Sequence, residues 1–144
     1  MSFLDSMNIS ASALTATRLR MDVIAENMAN VNTTRTESGE PYRRKFVVFR
    51  ERTSDRDFAA FFNRTQKAGG GVRVVAIGQD MSEFRLDFNP SHPDADEYGF
   101  VRMPNVEVVQ EMTDMMSAFR AYEANITALN VFKDMAMKTL EIGR

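Results

Sequence analysis

The sequence of 144 residues has no cysteine and no tryptophan, and it has one histidine. The absence of cysteine excludes disulfides, thiolate zinc sites and cysteine nucleophiles. A single histidine also removes the common pairs of nucleophile and base. The net charge of −2 gives no excess of positive charge to neutralise nucleic-acid phosphates. We therefore predict that the protein is not an enzyme, holds no cofactor or metal, and binds no nucleic acid.

Long apolar runs are also missing. The longest run is five residues, Phe58 to Phe62, whereas a membrane-spanning helix needs about 20. We therefore expect no direct membrane insertion. No basic residue precedes Arg18, which is atypical of a secretory signal peptide. Hydrophobic residues make up 44% of the chain and charged residues 26%, which is typical of a folded soluble domain.

Glycine and proline are absent from both ends of the chain. All four prolines lie between Pro41 and Pro104, and all glycines but Gly143 lie within 39–99. Because these residues interrupt helices, their distribution predicts long terminal helices. The predicted fold is mainly α with a small β-rich middle, and the two helices pair as an antiparallel coiled coil. We divide the chain into a terminal-helix domain, 1–34 plus 105–144, and a middle segment of short strands and loops, 35–104.

Both ends show heptad repeats, which are typical of a coiled-coil seam. The first helix is expected to end near 32–34, and the second to span 106–142 with Asn105 as its N-cap. Asp114 is assigned to the face opposite the second seam. The residues predicted for the helix seam and for subunit packing are Met7, Leu14, Met21, Ile24 and Met28 in the first helix, and Met112, Met115, Phe119, Tyr122, Ile126, Leu129 and Leu140 in the second.

The middle segment contains three strand-like stretches, 45–50, 71–77 and 83–88. Residues 58–62 fit either a short helix or a strand. The basic cluster 43–45 is interpreted as a solvated strand end. The acidic stretch 92–97 is interpreted as a surface turn rather than a cation site, because the rest of a ligand set is missing. Glycines 69–71 lack the lysine of a phosphate loop and are read as a hinge.

A pair of helices covers only one side of each helix, so apolar residues outside the seam stay exposed. An exposed apolar surface of this size is typical of an interaction site. Two interpretations remain open at this point: a monomer whose middle segment folds back over the helices, or a subunit whose core is completed by neighbouring copies or partners. The eleven methionines suit packing against several different surfaces.

Two stretches carry a resemblance to a known family. Residues 12–33, which include Ala25-Glu26-Asn27-Met28-Ala29-Asn30, resemble the N-terminal motif of bacterial flagellar rod and hook proteins. Residues 111–125, which include Ser117-Ala118-Phe119-Arg120-Ala121-Tyr122-Glu123, resemble their C-terminal motif. The stretches 32–36 and 89–101 narrow the resemblance to one member of the flagellar basal-body rod protein family.

The resemblance implies a structural subunit of the torque-transmitting rod, located in the periplasmic part of the flagellar basal body. The implied partners are copies of itself, neighbouring rod proteins and the flagellar type III export apparatus, which would export the chain without a cleaved signal peptide. The terminal helices would lie innermost in the rod. Two alternatives are kept: another flagellar axial protein, and a cytoplasmic coiled-coil adaptor.

Overall fold

The fold is built on two long helices, one at each end of the chain. The computed structural model describes residues 3–52 and 70–143, so the undecided stretch 58–62 lies outside the described residues. Helix α1 spans Phe3–Ala29 and helix α2 spans Val108–Ile142. At 1.5 Å per residue they are about 40 and 52 Å long. The two helices pack against each other, and this confirms the predicted fold class.

Helix α2 ends at Ile142 as predicted, whereas the end of α1 and the start of α2 differ from the predicted positions. Helix α1 stops at Ala29 because the Asn30 amide donates to both the Glu26 and Asn27 carbonyls, which tightens the last turn. Helix α2 begins at Val108, and its N-cap is Glu107, which forms no capping hydrogen bond with its side chain. The prediction that Asn105 caps this helix is wrong, because its side chain instead bonds to the middle segment.

The two helices run antiparallel. Asn27, near the end of α1, bonds to Glu111 in the first turn of α2. One to two turns further along, Arg20 lies 4.0 Å from Asp114. Helix α2 has 35 residues and α1 has 27, so it is eight residues, or about 12 Å, longer. Among the described residues, no helix has the length and hydropathy needed to cross a membrane.

The described part of the middle segment forms two small antiparallel sheets. Strand β1 (Lys45–Glu51) pairs with β2 (Val72–Gln79), with an irregularity between Val48 and Phe49. Strand β3 (Arg85–Phe88) pairs with β4 (Phe100–Met103). The three predicted strands are present. Strand β4 was not predicted, because its sequence, Phe-Val-Arg-Met, does not alternate between polar and apolar residues.

The sheet of β1 and β2 lies along α1. At its far end, Ser12 Oγ accepts a hydrogen bond of 3.1 Å from the Val72 amide. Gly71 permits this close approach, since its φ of +103° is in the left-handed region and a β-carbon there would collide with Ser12 Oγ. Helix α1 is therefore covered on one side by α2 and on another by this sheet. Among the described residues the buried apolar side chains are few: Ala16, Val23, Ile24, Tyr42, Val101, Pro104, Val106 and Ala118.

Candidate functional site

The helices and the middle segment meet in a cluster of polar residues, which we call the polar junction: the buried Asn27, Tyr42 and Glu111, and the half-buried Arg44. Asn27 lies in the last turn of α1, Tyr42 and Arg44 come just before β1, and Glu111 lies in the first turn of α2. The exposed fraction is 0% for both Asn27 and Glu111. Because burial of unpaired polar groups is costly, the hydrogen bonds of this cluster decide its stability.

The carboxamide of Asn27 makes four hydrogen bonds. Its Nδ2 donates to the Lys45 carbonyl at 2.9 Å and to Glu111 Oε2 at 3.0 Å. Its Oδ1 accepts from the Tyr42 hydroxyl at 3.0 Å and from the Lys45 amide at 2.9 Å. An asparagine side chain has two donors and two acceptor positions, so every one of them is used. One side chain thus connects α1, β1 and α2.

Glu111 is a buried carboxylate with a cationic partner. Its Oε1 accepts a hydrogen bond of 2.6 Å from Arg44 Nε. The same guanidinium reaches Asp114 Oδ2 at 3.4 Å, and Arg20 approaches Asp114 from α1 at 4.0 Å. The Arg44 side chain keeps 25% exposure, so one end of this network is hydrated. The network links the middle segment to α2 by charge as well as by hydrogen bonds.

Tyr42 is affected by the same environment. Burial raises the pKa of its hydroxyl to about 12, and the nearby carboxylates of Glu26 and Glu111 act in the same direction. Lys45 lies beside this ring, with Nζ 5.5 Å from the ring centroid and 2.5 Å from Glu26 Oε1. The hydroxyl therefore remains a hydrogen-bond donor to Asn27 well above neutral pH.

Sequence reasoning missed this junction. The basic cluster 43–45 was interpreted as a solvated strand end, but Arg44 pairs with a fully buried glutamate. Asp114 was assigned to the face opposite the seam, but it faces Arg44 and Arg20. The available signal was the spacing of Glu111, which lies at heptad distance from Ala118 and therefore on the same stripe of the helix.

Helix α2 carries two heptad stripes rather than one. The stripe that faces α1 is buried or half-buried and consists of Glu111, Met115, Ala118, Tyr122, Asn125, Leu129, Phe132 and Ala136. A second stripe, which we call the outer stripe, is exposed and consists of Val109, Met112, Met116, Phe119, Ile126, Met137 and Leu140. Phe119 has 52% exposure and Leu140 has 75%. Except for the gap between Ile126 and Met137, neighbouring members of the outer stripe lie three, four or seven residues apart, a spacing typical of a helix face that packs on another helix.

The structure separates the predicted seam residues into two groups. In α1, Ile24 is buried, and Met7, Leu14, Met21 and Met28 are half-buried. In α2, Met115, Tyr122 and Leu129 are half-buried and lie on the stripe that faces α1. By contrast, Met112, Phe119, Ile126 and Leu140 belong to the outer stripe and lie outside the helix pairing within the chain. Their role in packing between subunits stays a prediction.

The remaining concave surfaces offer little chemistry. A cleft of about 350 Å³ lies beside the polar junction, between α1, β1 and α2. In the stretch 92–97, His92 Nδ1 accepts from the Asp94 amide and Asp94 Oδ2 accepts from the Thr34 hydroxyl. Among the residues that the structure describes, no three His, Asp or Glu side chains are grouped so that they could hold a metal ion.

Comparison with known proteins gives consistent matches at both ends of the chain and over its full length. The sequence profile described as "Flagella basal body rod protein" matches residues 7–35. The profile described as "Flagellar basal body rod FlgEFG protein C-terminal" matches residues 98–142. These two ranges contain Asn27 and Glu111 of the polar junction, and they contain the whole outer stripe.

Several full-length relatives carry the same name, flagellar basal-body rod protein FlgC. The relative from Bacillus subtilis is 47% identical over 96% of this chain and 97% of its own length. The relative from Borreliella burgdorferi is 44% identical over 99% of this chain and 98% of its own. The relative from Salmonella typhimurium is 40% identical, and the match covers both chains completely.

These matches agree with the motifs in both helices. They set aside the alternative of a cytoplasmic adaptor, because relatives that match over the full chain are subunits of the basal body. The role is therefore structural rather than enzymatic. The chain belongs to the FlgC family of flagellar basal-body rod proteins.

Proposed function

We propose that the protein joins the rod by packing the outer stripe of α2 against neighbouring subunits, which are copies of itself and adjacent rod proteins. The observation that carries this proposal is that the outer stripe repeats the spacing of a helix seam although none of the residues described by the structure covers it. The polar positions within its heptads, Glu123, Asn130 and Lys133, are three among ten. A soluble monomer gains nothing from such a surface, whereas an assembling subunit needs one.

The two stripes of α2 have different packing roles in this proposal. The stripe that faces α1 holds the chain in its own fold, and the outer stripe holds one subunit to the next. Helices packed in this way resist sliding and twisting through many interlocked side chains, which suits a shaft that transmits torque. Delivery by the flagellar type III export apparatus, and a position of the helices innermost in the rod, follow from family membership and belong to the same proposal.

The test replaces two residues of the outer stripe by carboxylates, Phe119→Asp with Ile126→Asp. Both side chains are exposed in the single chain, so we expect the free energy of unfolding of the isolated protein to change by less than about 1 kcal/mol. In an assembled rod the same carboxylates would be buried without partners, at a cost of several kcal/mol. Cells should therefore export the variant but build no hooks or filaments.

The matched control is Arg120→Asp with Thr127→Asp. These residues are also exposed and seven apart on α2, but they lie outside the outer stripe. We expect this variant to swim. Export is followed by measuring the variant secreted by cells, and assembly by examining isolated basal bodies. Normal basal bodies with both Phe119→Asp and Ile126→Asp would show that the outer stripe does not pack in the rod.

A further inference from the structure

The start of strand β1 is held from both sides by asparagine side chains. In an antiparallel strand, successive residues point their backbone N–H and C=O groups to opposite edges. Arg44 points to the side of β2, where its carbonyl accepts from the Asp80 amide at 2.8 Å. Lys45 points to the opposite side, where β1 has no neighbouring strand among the described residues.

Asn27 takes the place of a strand at that open edge. Its Oδ1 accepts from the Lys45 amide and its Nδ2 donates to the Lys45 carbonyl, both at 2.9 Å. This is the pair of bonds that a residue of a neighbouring antiparallel strand would form. The contact ties the first residue of β1 to the last turn of α1.

Asn105 acts on the other edge. Its Oδ1 accepts from the Arg44 amide at 2.8 Å, while its Nδ2 donates to the Asp80 carbonyl at 3.0 Å and to Ser82 Oγ at 2.9 Å. Asn105 lies three residues before α2 begins, so this contact ties the same two-residue stretch to the start of the second helix.

We propose that Asn27 and Asn105 are positioning residues that together fix the direction in which the middle segment leaves the helix pair. We call them the asparagine bracket. Each carboxamide fixes one residue of the stretch Arg44–Lys45, and the two attachments lead to different helices. The opposite end of the sheet has a separate contact, between Ser12 and Val72, which serves as an internal reference. The bracket acts within one chain and does not depend on how the rod assembles.

Amide hydrogen exchange in the full-length protein tests the two contacts separately. Asn105→Ala should speed exchange of the Arg44 amide more than tenfold and leave the Lys45 and Val72 amides within threefold of their original rates. Asn27→Ala should speed exchange of the Lys45 amide most. A general loss of stability would instead speed exchange of all three amides by the same factor, and that result would overturn the proposal.

A conservative rescue covers the case in which Asn27→Ala does not fold. The pair Asn27→Asp with Glu111→Gln keeps an oxygen facing the Lys45 amide and exchanges donor and acceptor in the contact with α2. The Lys45 amide should then stay protected within threefold. If Asn105→Ala leaves exchange at Arg44 unchanged, or if this double variant loses protection at Lys45 alone, the bracket is refuted.

A distance measurement tests the direction itself. Because the chain has no cysteine, cysteines introduced at Arg73 on β2 and Ser117 on α2, both exposed, can be spin-labelled without background. The distance distribution should be narrow in the otherwise unchanged protein. It should become at least twice as wide with Asn105→Ala, and wider still when Asn27→Asp and Glu111→Gln are added, since the Lys45 carbonyl then loses the hydrogen bond that Asn27 Nδ2 donates to it. An unchanged width in these variants would overturn the proposal.

Discussion

Removing the cation from the polar junction should destabilise the fold sharply. In Arg44→Met, Glu111 keeps the hydrogen bond from Asn27 but loses the guanidinium that lies 2.6 Å from its other oxygen. Breaking a buried ion pair from one side typically costs 3–5 kcal/mol, because the remaining charge stays buried without compensation. Since the Arg44 side chain is 25% exposed, some water can reach the vacated site. We therefore expect a loss of about 2–4 kcal/mol in the free energy of unfolding.

The assay is urea unfolding of the full-length protein, followed by circular dichroism. With a slope of about 2 kcal/mol per molar urea, the midpoint should fall by roughly 1–2 M. The matched control is Arg35→Met, which removes a surface pair with Asp94 at 4.0 Å, where the Arg35 side chain is 73% exposed. Surface pairs contribute about 0–1 kcal/mol, so this variant should unfold almost as the original protein does.

A second substitution distinguishes the buried charge from lost packing. Glu111→Gln in the Arg44→Met background removes the unpaired charge and keeps an oxygen that accepts from Asn27. We expect it to recover at least half of the lost stability, which a double-mutant cycle measures directly. If Arg44→Met costs no more than Arg35→Met, or if Glu111→Gln makes the loss larger, the buried charge pair does not stabilise the junction and the reasoning fails.

Two further predictions concern single residues. Gly71→Ala should lower the free energy of unfolding by about 1–3 kcal/mol, because alanine is strained at a φ of +103° and its β-carbon meets Ser12. In denaturant titrations, adding Ser12→Ala should restore part of that loss. A Gly71→Ala variant with unchanged stability would contradict the close approach of Gly71 to Ser12. Folding raises the pKa of Tyr42 from its ordinary value of 10 to about 12, so the folded state holds this proton more tightly and the free energy of unfolding should fall only between pH 10 and 12. This fall should be smaller in Tyr42→Phe. Equal pH profiles of stability for the two proteins would refute the burial of the hydroxyl.

The helices and most strands could be predicted because their signals are local. The absence of glycine and proline from both ends of the chain leaves long stretches that nothing interrupts, and 45–50 and 83–88 show strand composition within a few residues. Strand β4 gave no such signal, because its four residues are held by pairing with β3 rather than by their own pattern. The predicted end of α1 lay a few residues too late for a similar reason. The helix ends where the Asn30 amide donates to both the Glu26 and Asn27 carbonyls, and the local sequence does not show this contact.

The polar junction could not be predicted because its contacts join residues far apart in the chain. Asn27 and Glu111 are separated by 84 positions, and each is ordinary for the surface of a helix when viewed alone. For a related reason, the sequence identified only some of the α2 residues that face α1. Two apolar stripes lie side by side on this helix, and the predicted seam took Met115 from one and Phe119 from the other. Only the position of α1 shows which stripe is covered within the chain.

The unequal exposure of the two helices has a consequence for symmetry. Of the α1 side chains described, only Leu4 is large, apolar and exposed, whereas α2 carries the whole outer stripe. Two copies that met stripe to stripe would be related by a two-fold axis. Each would cover the outer stripe of the other, so the dimer would have no outer stripe left to bind a third copy. Under the packing proposed for the outer stripe, growth of an open structure with two different ends therefore requires a heterologous contact, in which the outer stripe of one subunit meets a different surface of the next. A subunit built in this way adds in one direction and stops only where its neighbour lacks the complementary surface.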